Sequence, residues 1–146
     1  MKLTDLAIGD LILINNTPHK IQAIDSIDAE ILADDELYYV GEDRCHSEDK
    51  IEGIPITPEI LEKNGWNLDT VLQCYTSTPL WLYGEGIINL LLQFPSKQSA
   101  GSLEIFDNQK IRSLFDFTWK DRLCIHDLQH ALRLCGFNKL ADDFKV

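Results

Sequence analysis

Basic residues are scarce in this chain. Its 146 residues hold 13 Lys and Arg against 24 Asp and Glu, a formal net charge of −11. Nucleic-acid binding rests on clustered Lys and Arg that displace counterions from phosphates, so this balance argues against DNA or RNA as a partner. Long apolar runs are missing too. The longest, Ile87 to Leu92, is broken by Asn89 and falls far short of the roughly 20 residues that span a bilayer. Asp5 and Asp10 stand where a signal peptide carries its apolar stretch, so a cytoplasmic protein with no membrane association is expected. The four cysteines form no CxxC pair, and no spacing matches a zinc knuckle or a redox motif. Free thiols are expected, two or three of them buried as small apolar groups. Neither G-x-G-x-x-G, a P-loop, HExxH nor G-x-S-x-G occurs; phosphate cradles, zinc proteases and nucleophile elbows need those spacings. No cofactor and no catalytic residue is assigned, and a non-enzyme is expected.

What is present reads as an ordinary globular domain, with 45% hydrophobic and 25% charged residues. The length suits a single domain over 1–146, with a β subdomain at 1–53 and an α+β subdomain at 54–146 as its natural division. Acid gathers between Asp25 and Glu52, including Asp34-Asp35-Glu36. Such a run solvates a face and favours a basic protein partner.

The first 40 residues read as short strands. Leu11-Ile12-Leu13-Ile14 is followed by the turn signal Asn15-Asn16-Thr17-Pro18. The alternation from His19 to Ile27 slips once, predicting a bulge. Ala29 to Leu32 and Leu37 to Val40 complete a meander of SH3-like character. Residues 41–53 read as a loop. Thr57-Pro58-Glu59 then opens a helix over about 57–64, with Thr57 as N-cap and Pro58 at the first helical position. Gly65-Trp66 closes it in a left-handed stop that folds the indole back. From Val71 to Trp119 strand-like runs return without a crossover helix, so antiparallel pairing is expected. The last helix, about 125–135, carries the apolar stripe Ile125, Leu128, Leu132 and Cys135 and stops at Gly136-Phe137. The predicted class is α+β, with both helices packed on one sheet face.

Candidate site residues follow from side-chain chemistry. His126 and His130, four apart, share a helix face and are the candidate metal ligands, with Cys124 and Asp127 beside them in sequence. The stripe places both histidines at the solvent edge of the helix, which argues against a metal. Lys110, Arg112, Lys120 and Arg122, near Trp119, form the candidate cluster for an anionic ligand. Cys45-His46 is adjacent in sequence, which does not by itself make a nucleophile–base pair.

Three segments carry a resemblance. Ile8-Gly9-Asp10, Ile54-Pro55-Ile56-Thr57-Pro58-Glu59-Ile60-Leu61 with Gly65-Trp66, and Cys124-Ile125-His126-Asp127-Leu128-Gln129-His130 resemble a family of small Bacteroidetes prophage and mobile-element proteins without an assigned activity. The family's middle segment more often has Phe where this chain has Trp66, and its last segment more often has Asn at the position of His130. The resemblance implies an accessory protein of a mobile element and supplies no catalytic residue. The expected function is contact with a protein partner. The alternatives are sequestration of a small ligand or nucleotide as a counter-defence protein, and a Cys- or His-based hydrolase.

Overall fold

A computed structural model describes residues 3–26, 28–40, 49–82, 86–93, 101–107, 110–117 and 122–146. The chain is α+β with antiparallel sheets, and it divides into two compact units. Met1–Pro55 joins Cys124–Val146 in the first, and Ile56–Leu123 forms the second. The expected 54–146 subdomain therefore loses its last 23 residues to the N-terminal unit, whose span in the second segment is Cys124–Val146.

In the first unit, β1 (Leu11–Ile14), β2 (Thr17–Asp25), β3 (Glu30–Ala33), β4 (Glu36–Tyr39) and β5 (Ile51–Gly53) form one sheet in the order β4-β3-β2-β1-β5. Its two tightest turns explain otherwise odd residue choices. Ile14 pairs with Thr17 and Ala33 with Glu36. Each hairpin thus closes over two residues, Asn15-Asn16 and Asp34-Asp35, all four at φ between 49° and 67°. Two-residue loops that match strand twist need positive φ at both central positions, which Asn and Asp tolerate best after glycine. Part of the acidic run is thus turn chemistry. The predicted bulge lies between Ile21 and Ala23, where the β2–β3 register shifts. Ile12, Ile14, Ile21, Ile31, Ala33 and Ile51 form the core of the sheet.

The chain's end completes this unit. Helix α2 (Ile125–Leu134) and a short helix not anticipated from sequence, α3 (Asn138–Asp142), pack on each other, and α2 meets β1. The two are joined through Gly136 at φ 87°. There Gly136 N donates to Arg133 O and Phe137 N to Leu132 O at 3.0 and 2.8 Å, the paired bonds of a Schellman stop.

The second unit holds α1 (Pro58–Lys63) and β6 (Asn67–Asp69), β7 (Cys74–Thr76), β8 (Leu80–Leu82), β9 (Gly86–Gln93), β10 (Ser102–Asp107) and β11 (Lys110–Asp116). The strands run β11-β10-β9-β7-β6, with β8 also paired to β9. Strand β9 is bonded to three neighbours, and Leu90, Leu91 and Leu92 are all buried. A continuous apolar run marks a strand covered on both faces. Helix α1 begins and ends as its sequence predicts. Thr57 Oγ1 accepts from Ile60 N at 3.3 Å, and Trp66 N donates to Leu61 O at 2.9 Å while the indole is fully buried. Val71-Leu72, expected to start a strand, instead lie in a turn. Asp69 Oδ1 accepts from both their amides at 2.8 and 2.9 Å, and Val71 is 89% exposed. Because α1 and α2 belong to different units, they do not share one sheet face as expected.

Candidate functional site

Among its described residues, the first unit buries four ionisable or amide side chains on or beside α2: Asp10, His126, Asp127 and Gln129. They form two clusters with different chemistry.

The first cluster sews the chain's two ends together. Gln129 is fully buried. Its Oε1 accepts from Leu11 N at 2.9 Å, and its Nε2 donates to Gly9 O at 3.1 Å and to Ala141 O at 2.9 Å. One amide thus satisfies backbone groups of β1, its approach and α3, groups that burial would otherwise leave costly. Beside it, the fully buried Asp10 accepts from Ala7 N at 2.8 Å and from Arg133 Nη1 at 2.6 Å, and its Oδ2 lies 2.7 Å from His130 Nε2. Arg133 also reaches Asp142 Oδ1. Gly9 suits this packing because its φ of 88° is strained for a residue with a side chain, and a Cβ there would also push on Arg133 Nη2, 2.8 Å away. The Ile8-Gly9-Asp10 and His126-to-His130 motifs are therefore two halves of one packing device.

The second cluster lies at the start of α2. Cys124 is the N-cap, His126 is the second helical residue and Asp127 the third. Asp127 Oδ2 accepts from Cys124 N at 2.9 Å, the reach-back arm of a capping box. This fixes the carboxylate under the helix start and leaves Oδ1 3.5 Å from His126 Nε2. A ligand atom from each of Cys124, His126 and Asp127 lies within 4.8 Å of the others. His126 and Asp127 are buried, and Cys124 is half-buried. The local chain is pinned by an antiparallel bridge between Pro55 and Cys124 and by Ile125 N donating to Ile54 O at 2.8 Å.

These positions revise the sequence expectations. His126 is 4% exposed rather than at the solvent edge. Among the described residues, Ile125 to Gln129 are all buried, because β1 and α3 cover sides of the helix that a single stripe leaves to water. The two histidine rings stand 6.1 Å apart edge to face. They do not point to a shared ligand, since His130 Nε2 is engaged by Asp10, whereas His126 sits with Cys124 and Asp127. Of the proposed anion-binding cluster, Lys110 and Arg112 lie on one face of β11 and both are exposed, as is Arg122. Trp119 and Lys120 lie outside the described residues, as do Cys45 and His46.

Among the described cysteines, Cys74, Cys124 and Cys135 are free thiols and only Cys74 is buried. Burial pushes the Cys74 thiol above its ordinary pKa, with the Asp69 charge adding to it, and burial raises Cys135 as well. Both are thereby disfavoured as nucleophiles, which react as thiolates. The first sheet also carries a polar cluster that no local sequence pattern marks. His19 Nδ1 lies 2.9 Å from Asp34 Oδ2, and Tyr38 donates to Glu36 Oε2 at 2.9 Å with its hydroxyl 3.5 Å from His19 Nε2. Burial, then the Glu36 carboxylate, raises the Tyr38 hydroxyl above its ordinary value.

No family model, curated protein or solved structure matches this chain. Among the described residues, no helix is long and apolar enough to cross a membrane.

Proposed function

We propose that this protein acts by contact with another protein, as a non-enzymatic accessory module of a bacterial mobile element or phage. The observation that carries this reading is one cross-strand pair. Trp81 on β8 stands opposite Ile87 on β9, and the two are 76% and 67% exposed. Single exposed apolar residues are commonplace. Directly opposed residues on neighbouring strands, however, project from the same face and make one contiguous patch. A tryptophan is also the side chain most enriched among residues that dominate interface energies.

The net charge of −11 steers the choice of partner toward a surface with an apolar pocket and a basic rim. The first sheet, read as an SH3-like scaffold, fits the same class of small interaction module. Tagged wild-type protein and a Trp81→Ala variant, compared in pull-downs from the host, test the reading. The expected result is a reproducible partner for the wild type whose affinity falls roughly 30-fold or more in the variant, as loss of a hot-spot side chain predicts. The same proteins recovered equally by both would count against it.

A further inference from the structure

We propose that Cys124, His126 and Asp127 form a binding site for a zinc-type divalent cation, with Cys124 Sγ, an imidazole nitrogen of His126 and Asp127 Oδ1 as ligands.

The donor set comes first. Thiolate, imidazole and carboxylate together are the ligands that zinc and similar borderline cations select, and three protein ligands with a fourth position left to water is an established zinc arrangement. Geometry comes second. Zinc bonds of roughly 2.0 to 2.3 Å at tetrahedral angles put neighbouring ligand atoms about 3.4 to 3.7 Å apart. His126 Nε2 and Asp127 Oδ1 stand 3.5 Å apart. That is long for a charge-assisted hydrogen bond and right for two ligands of one ion. One ligand atom from each of the three residues lies within 4.8 Å of the other two, so the three donors already converge on a volume the size of one ion's coordination sphere.

The surroundings are built to match. Gly53, at the end of β5, faces this cluster. A Cβ added there would come within 2.7 Å of both Cys124 Sγ and His126 Cε1. Glycine is present at 53 for the space it leaves beside the thiol and the ring. Asp127 is held by its other oxygen through the Cys124 amide, the kind of outer contact that orients a ligating carboxylate. Charge also balances. A thiolate and a carboxylate neutralise a divalent ion, and both anions are favoured at the positive end of α2. Binding releases the Cys124 thiol proton to solvent as the Sγ–metal bond forms.

The test uses the full chain, reduced and stripped of metal with a chelator, then titrated with Co²⁺ as an optical probe and competed with Zn²⁺. The expected result is one equivalent bound, with a thiolate-to-cobalt charge-transfer absorption that Zn²⁺ abolishes. Cys124→Ser removes that absorption while leaving circular dichroism unchanged, because serine is itself a favoured N-cap. Gly53→Ala weakens binding by roughly 10- to 100-fold, the scale seen when a metal site's support is disturbed, and His126→Gln, which removes a ligand, weakens it further. Cys74→Ser and Cys135→Ser bind as the wild type does. A wild type without the charge-transfer absorption, or an absorption that survives in folded Cys124→Ser, overturns the assignment.

Discussion

Among the described residues, the unit built from the chain's two ends buries Asp10, His126, Asp127 and Gln129, whereas the middle unit buries a single polar side chain, Ser77. Ser77 is fully engaged, accepting from Leu90 N and donating to Thr78 O. The most deeply buried of its other described side chains are aliphatic or aromatic: Leu61, Trp66, Leu90, Leu91, Leu92 and Leu103 are essentially inaccessible. The contrast follows from connectivity. Strands β9, β10 and β11 are neighbours in sequence, and their backbone ladders fix their register. Helix α2 must find β1 from 118 residues away, the separation of the Leu11–Gln129 bond. Apolar contact is non-directional and would hold the helix in several registers. The directional bonds of Gln129 and Asp10 select one, a use of buried polar groups documented in other folds.

The contrast can be broken from either side. The largest effect is expected for Asp10→Ala. It removes the acceptor of Ala7 N and leaves Arg133 facing a buried gap, so about 3 kcal/mol is lost in urea unfolding. This is the lower end of the range for breaking a buried pair, because the Arg133 side chain is 19% exposed and can regain water. Gentler behaviour is expected in the middle unit. Trp66 Nε1 is buried with no hydrogen-bond partner among the described residues. Trp66→Phe therefore costs less than about 1.5 kcal/mol by the same assay, since lost ring volume is offset by removal of an unsatisfied donor.

Smaller again is Thr57→Ala, at about 1 kcal/mol for one lost N-cap. The smallest effect is a pH dependence. The Glu59 carboxyl is held below its ordinary pKa by its own backbone amide and then by Thr57. A depressed carboxyl contributes stability above the unfolded value, near 4.3, and that contribution is lost as pH falls through the folded value. Glu59→Gln should flatten this part of the acid unfolding curve, and an unchanged curve would remove the capping role.

Local chemistry was legible in the sequence where a few adjacent residues decide the outcome. The Thr57-Pro58 start, both Gly-aromatic stops, the Asn15-Asn16 turn and the slip near Ile21 all rest on neighbours within one turn. Strands β5 and β6 escaped because each is three residues long and two of those three are strand-poor types, Glu52-Gly53 in one and Asn67 and Asp69 in the other, whereas the equally short β7 and β8 are mostly apolar or aromatic. Helix α3 escaped because Phe137 at its N-cap makes no side-chain cap bond. The α+β class emerged from the runs of alternation, but the return of residues 124–146 to the first unit did not. That return depends on pairings more than a hundred residues apart, which no local pattern encodes. The same distance hid the candidate site. Cys124, His126 and Asp127 could be named together from their spacing, yet the role of Gly53 appears only once β5 is set against the start of α2.

Asp10 and Arg133 act as one unit in fixing α2 on β1. A double-mutant cycle of Asp10→Ala and Arg133→Met in urea unfolding separates joint action from two independent contributions. A coupling of roughly 2 kcal/mol, within the range for residues in direct contact, is the predicted result. Additive losses, with coupling indistinguishable from zero, would contradict it.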